Sequence, residues 1–167
     1  LQRFRCAATN GVGHGGGAVA QGIEMTLRGV DTAPMFNTAG GSGGGLLVRS
    51  GDRESYAYVT GGLFGVQGNQ AARGGGIAVH TGDEDLLAQL RVFSIDGEPV
   101  LIANNTATER GGGIDVQPNY SSGIIGFPGS ETPANAFLRN VDIQGNIAPV
   151  GAAFNLAHDN YGPLGAA

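Results

Sequence analysis

The chain has 167 residues, 41% of them apolar and only 14% charged, with a formal net charge of −5. The apolar share supports one core, while the acidic balance, without a basic stripe, excludes the usual binder of nucleic acid or of an anionic membrane surface. No stretch approaches the ~20 apolar residues of a membrane-spanning helix, so this segment is not expected to insert into a bilayer.

In chain order, the opening "LQRFRC" has neither an initiator Met nor a signal-peptide pattern. Residues 1–167 therefore read as a single domain, either a processed mature protein or a segment of a longer one. Its one cysteine, Cys6, precludes an internal disulfide. Glycine is the anomaly, with 32 residues, against an ordinary usage of roughly 7%. A first glycine cluster starts at Gly15 and leads into "AVA", with Asn10 and Val12 upstream as a weak partner motif. "NTAGGSGGGLLV" follows at 37–48 with its cluster at Gly43, and "GNQAARGGGIAV" at 68–79 with Gly74. "DEDLLAQLRVF" (83–93) is the one stretch ambiguous between helix and strand. "NNTATERGGGIDV" at 104–116 carries Gly111, and a degenerate "GAAFNL" begins at Gly151.

Alignment gives a unit φ-x-φ-x-x-N-x-A-x-x-(x)-G-G-G-φ-x-φ, with the asparagines Asn37, Asn69, Asn105 and Asn146. Within each half the apolar period is 2, which means strands. Short strands, corners of Gly and Asn, and a unit of variable length predict an all-β fold: a right-handed parallel β-helix (β-solenoid) of about five coils with loop insertions. A β-propeller is the competitor, but its blades carry four strands and close into a ring.

Stacking would put Ala18, Leu46, Ile77, Ile114 and Phe154 in one inward column and Ala20, Val48, Val79, Val116 and Leu156 in another. The Asn column suits a left-handed corner and an amide ladder between coils. The glycine clusters Gly43, Gly74, Gly111 and Gly151 suit sharp turns and close approach of backbones. Between the inward columns, Val19, Leu47 and Ala78 should face outward with Asp115 and Asn155. Contiguous exposed apolar surface marks a contact, so these three are either an interface or a face that the chain itself covers.

The paired φ-x-x-N and G-G-G/A-φ signature resembles the FxxN and GGA[ILV] repeats of polymorphic outer-membrane proteins, over about residues 32–156. Here Val66, Ile102 or Ile143 stands for the aromatic, and a third Gly for the Ala. The resemblance implies a bacterial module, secreted or at the cell surface, non-catalytic and structural or adhesive. It would associate with itself, stacking head to tail into a filament, or bind a surface receptor or glycan. It brings no catalytic residues and no cofactor.

Other chemistries find little support. A P-loop needs Lys, which the chain lacks, and strands rather than helices follow the clusters, against a dinucleotide fingerprint. A G-G-x-G-x-D calcium repeat fails because Gly45 or Leu46 stands where Asp is needed. Parallel β-helices also host glycan-degrading enzymes, which use paired outward carboxylates. Asp115 has Ala78 and Asn155 beside it, and Asp142 has Leu101, so no acid ladder forms. A carbohydrate-binding or polysaccharide-degrading β-helix is the alternative, with Tyr56, Tyr58 and Tyr120 as the nameable platform residues. The acidic run Asp83–Asp85 reads as a solvated insertion loop, with calcium binding as its sharper reading. His158 and Asp159 read as a surface loop, and His14 and His80 show no metal-ligand spacing. Arg73 and Arg110, at matching positions, read as surface residues that stack or pair with Glu109.

Overall fold

The computed structural model describes residues 2–4, 7–8, 13–28, 32–60, 65–81, 86–95, 97–117 and 134–156. Asp83–Asp85, Tyr120, His158, Asp159, Cys6, Asn10 and Val12 lie outside them. Among the described residues there is no helix. The strands fall into a recurring order of four. First come β1 (Gln2–Phe4), β2 (Ala7–Ala8), β3 (Ala18–Gln21) and β4 (Glu24–Arg28). Next are β5 (Thr32–Pro34), β6 (Thr38–Ala39), β7 (Leu46–Arg49) and β8 (Ser55–Thr60). Then β9 (Val66–Gln67), β10 (Gln70–Arg73), β11 (Ile77–His80) and β12 (Ala88–Phe93). A fourth set is β13 (Val100–Ala103), β14 (Thr106–Arg110), β15 (Ile114–Gln117) and β16 (Ala134–Arg139), followed by β17 (Val141–Gln144) and β18 (Phe154–Leu156).

Each strand pairs, always in parallel, with its counterpart one repeat away. The largest sheet runs β18-β15-β11-β7-β3. Two four-stranded sheets run β14-β10-β6-β2 and β16-β12-β8-β4, and smaller ones β17-β13-β9 and β1-β5. Residues aligned by the sequence repeat are the ones that pair: Leu46 with Ile77, Ile77 with Ile114 and Ile114 with Phe154. The ambiguous stretch resolves as strand β12, paired over its whole length with β8 and β16. The sequence repeat had no motif for this sheet.

The core lies between three sheets. Leu46, Val48, Ile77, Val79, Ile114 and Val116 from one meet Val59, Leu90 and Val92 from the second and Val66, Val100 and Ile102 from the third. These are mostly β-branched side chains, which fit the pleated surface well.

The three glycines of one cluster do three different things. Gly74 has φ +58°, a left-handed corner, and a Cβ there would lie 2.3 Å from the Ile77 carbonyl oxygen and 2.8 Å from the Ala78 Cβ. A Cβ on Gly75 would lie 2.4 Å from the Thr106 oxygen, and one on Gly76 2.5 Å from the Gly113 oxygen and 3.0 Å from the Asn105 Nδ2. The first glycine turns the chain, the second admits the next repeat's backbone, and the third leaves room for the Asn amide. Sequence reasoning gave the left-handed backbone to the asparagines. The structure puts it one residue earlier, at Phe36, Gly68, Asn104 and Gly145, with φ 55–66°. The Phe36 ring is accommodated because Gly68 beneath it has no side chain.

Gly75→Ala drives a methyl into two backbone carbonyls, so it is expected to lower the unfolding free energy by about 1–3 kcal/mol or more. Urea titration would read this as a lower midpoint at unchanged slope.

Candidate functional site

Two constructions stand out: an amide ladder inside the molecule and a cleft on its outer wall. In the ladder, Asn69 Oδ1 accepts from the Asn37 backbone N–H (2.9 Å) and from Asn37 Nδ2 (3.0 Å). Asn69 Nδ2 donates to the Pro34 carbonyl (2.9 Å) and to Asn105 Oδ1 (2.9 Å). Asn105 repeats this pattern toward Val66 and Asn146. A carboxamide offers two acceptor sites and two donors, so the interior members use all four. Asn37, Asn69 and Asn105 are fully buried, and such complete satisfaction is what makes burial of an amide tolerable. Asn146 donates one bond, to the Ile102 carbonyl.

On the outer wall, Val19, Leu47, Ala78, Asp115 and Asn155 form one continuous row across the sheet. Of the two readings of this row, an interface or a face that the chain itself covers, burial at two of the three positions fits the second. Leu47 is 3% and Ala78 0% exposed, while Val19 is 37% exposed. The cover is local: the leading glycine of each cluster folds back over the side chain four residues on, as Gly74 does over Ala78 and Gly111 over Asp115.

Asp115 is fully buried in this row although its direction is outward. It accepts from Asn155 Nδ2 at 2.7 Å, faces His80 Nε2 at 3.4 Å and lies 3.5 Å from Arg110 Nε. Burial alone would raise its pKa. The bonds from His80 and Asn155 and the charge of Arg110 outweigh that and hold the carboxyl below its ordinary range.

Beside this row lies a cleft of about 240 Å³. Leu47 is its floor. One wall is the strand-end column Arg49 and His80, paired in register and continued by Gln117. The other wall is Ser42 and Arg73, joined by a parallel bridge. His14 closes one end, its Nδ1 accepting the Ser42 backbone N–H at 3.0 Å, which leaves the proton of the neutral ring on Nε2. Partial burial, followed by the charges of Arg49, His80 and Arg73, lowers the His14 pKa. Arg73 is paired with Glu109 at 2.6 Å and Arg110 bonds Gln117, so Arg110 is not the plain surface residue expected. Arg49 has no carboxylate partner among the described residues.

Arg49 and Gln117 escaped notice in the sequence, and His80 was weighed only as a metal ligand, because each stands just past the apolar triplet, where the motif was considered finished. Extending the period-2 parity by one step would have put them on the outward face with Leu47 and Ala78. Tyr56 and Tyr58 point from β8 to the opposite wall, where Arg91 lies over the Tyr58 ring at 5.9 Å and the Phe137 ring at 5.5 Å. They do not join the cleft. No group of His, Cys, Asp and Glu among the described residues is arranged to hold a metal ion. Comparison with protein-family models, with curated proteins and with solved structures finds no match to this chain.

Asn105→Ala strands the Asn69 N–H and one Asn69 amide proton in the interior, at a cost of roughly 1–3 kcal/mol each. A loss of about 3–5 kcal/mol by equilibrium unfolding is the expected result. Asp115 has a depressed folded pKa, so its contribution is fully present above the ordinary carboxylate value of ~3.9 and is lost as pH falls through the lower folded value. Asp115→Asn should therefore be less stable at pH 7, yet show a flatter loss of stability below about pH 4 than the parent in thermal melts.

Proposed function

We propose that this chain is a right-handed parallel β-helix that serves as a non-catalytic structural or adhesive module, secreted or displayed at a bacterial cell surface. The observation that carries the reading is the ladder Asn37–Asn69–Asn105–Asn146, which ties four successive repeats in one register. That the same residue of each repeat bonds to its copy in the next supports a coil of stacked turns. The right hand follows from the strong preference of parallel crossovers. Most polar side chains that repeat are committed to stacking, so recognition falls to the outer walls. This is the use that the resemblance to polymorphic outer-membrane protein repeats implies.

Head-to-tail growth into a filament meets an obstacle at the C-terminal edge. Gly112 and Gly113 admit the carbonyls of Ile147, Ala152 and Ala153 from the next repeat. The equivalent residues of that next repeat are Ala152 and Ala153, both exposed. Their methyls stand where a further turn's carbonyls would have to lie. Phe154, Leu156, Ile147 and Val150 are exposed at the same edge, so what covers them packs flat instead of extending the ladder. Self-association by continued strand pairing is thereby disfavoured, and a receptor or glycan is the favoured partner.

Two measurements test this. Beads coated with the protein should be retained on a glycan-coated surface, and incubation with the same glycans should release no new reducing or unsaturated ends. Release of such ends would favour the polysaccharide-degrading alternative, and beads that detach as uncoated ones do would remove the adhesive role. In sedimentation velocity the parent should stay dispersed, while the Ala152→Gly, Ala153→Gly double variant should associate more strongly. Equal association by both would mean the methyls are no barrier.

A further inference from the structure

The cleft over Leu47 has a use that the stacking of repeats does not explain. In a chain of net charge −5, it is lined by Arg49 and Arg73, with Arg110 bonded to the lining residue Gln117. Glu109 neutralises Arg73 and Asp115 neutralises Arg110. Arg49 has Gln21 and His80 as column neighbours and no carboxylate partner among the described residues. Such a spot attracts an oxyanion, and arginine presents two parallel donors that match a carboxylate. His14, neutral and with its remaining proton on Nε2, offers a further donor from the cleft's end.

The size and the polar walls narrow the ligand. About 240 Å³ is the space of roughly eight waters at ~30 Å³ each, below the ~300–1,000 Å³ usual for drug-sized ligands. One monosaccharide-sized group fits. Leu47 is only 3% exposed and adds little apolar surface, while Ser42, His14 and His80 give polar walls that suit the hydroxyl-bearing edge of a ring. We propose that the cleft over Leu47 binds the carboxylate-bearing ring of a sugar acid, with the Arg49 guanidinium clamping the carboxylate. The site stands on its own geometry and does not require that the module be adhesive.

The test is a titration of the ¹⁵N-labelled full chain at pH 7 and low salt, with galacturonate, galactose, acetate and inorganic phosphate as probes. Galacturonate should shift the amides of Ser42, Leu47, His80 and Thr81 saturably, and the nearby anion should move the His14 imidazole titration to higher pH. Galactose should leave these signals in place, and acetate and phosphate should bind at least tenfold more weakly than galacturonate. Arg49→Gln should weaken galacturonate at least tenfold while the rest of the spectrum stays native. Arg49→Lys keeps the charge and the fold but lacks the two-pronged contact, and should lose about threefold. The proposal is overturned if galacturonate leaves the cleft amides unmoved, or if galactose, acetate or phosphate binds as well as galacturonate. Undiminished binding by Arg49→Lys, or by a natively folded Arg49→Gln, overturns it too.

Discussion

Everything in this molecule depends on how closely one repeat can lie against the next. Parallel strands sit at about 4.8 Å, and the corner between β10 and β11 has to hold that spacing while the chain changes direction. A methyl at Gly75 or Gly76 would come within 2.5 Å of the neighbouring repeat's carbonyl oxygens. Glycine is required there by distance as well as by dihedral angle. Once the corners close, the buried asparagines reach each other at 2.9–3.0 Å, and the two features enforce one register.

The same corner shapes the outer wall. Because the leading glycine turns back over the strand it feeds, the outward residue four positions on is lidded by backbone. A hydrophobic side chain is at home there, as Leu47 and Ala78 are. A carboxylate is tolerated only with the bonds and the counter-charge that Asp115 receives. Residues two further along, Arg49 and His80, escape the lid and line open space. The cleft is therefore a by-product of the corner, and its chemistry is free to differ from repeat to repeat.

How much of this could be read in the sequence follows from which interactions repeat. The pairing of Ile77 with Ile114 and the choice of Asn37, Asn69, Asn105 and Asn146 were legible, because each position meets its own copy and so keeps its type. The sheet of β4, β8, β12 and β16 was not. It begins at varying distances after the glycine cluster, and its outward side chains (Tyr58, Arg91 and Phe137 in one row) have nothing in common. Whether Leu47 and Ala78 were covered or free stayed open because strand parity says which way a side chain points and nothing about what lies over it. The left-handed corners were misplaced by one residue because three residue types, Phe36, Gly68 and Asn104, fill that position, leaving no column to see.

The fifth copy shows the rule from the other side. Where a neighbour lies on the corner, at Gly44–Gly45, Gly75–Gly76 and Gly112–Gly113, no side chain is tolerated. At Ala152–Ala153 the described structure has no such neighbour, and methyls are present at both positions. An open sheet edge invites further pairing, and a methyl pointing along the stacking direction blocks it without disturbing the turn beneath. The departure from the motif thus follows the neighbours: glycine stands at each corner on which another repeat lies, and alanine at the one on which none lies among the described residues.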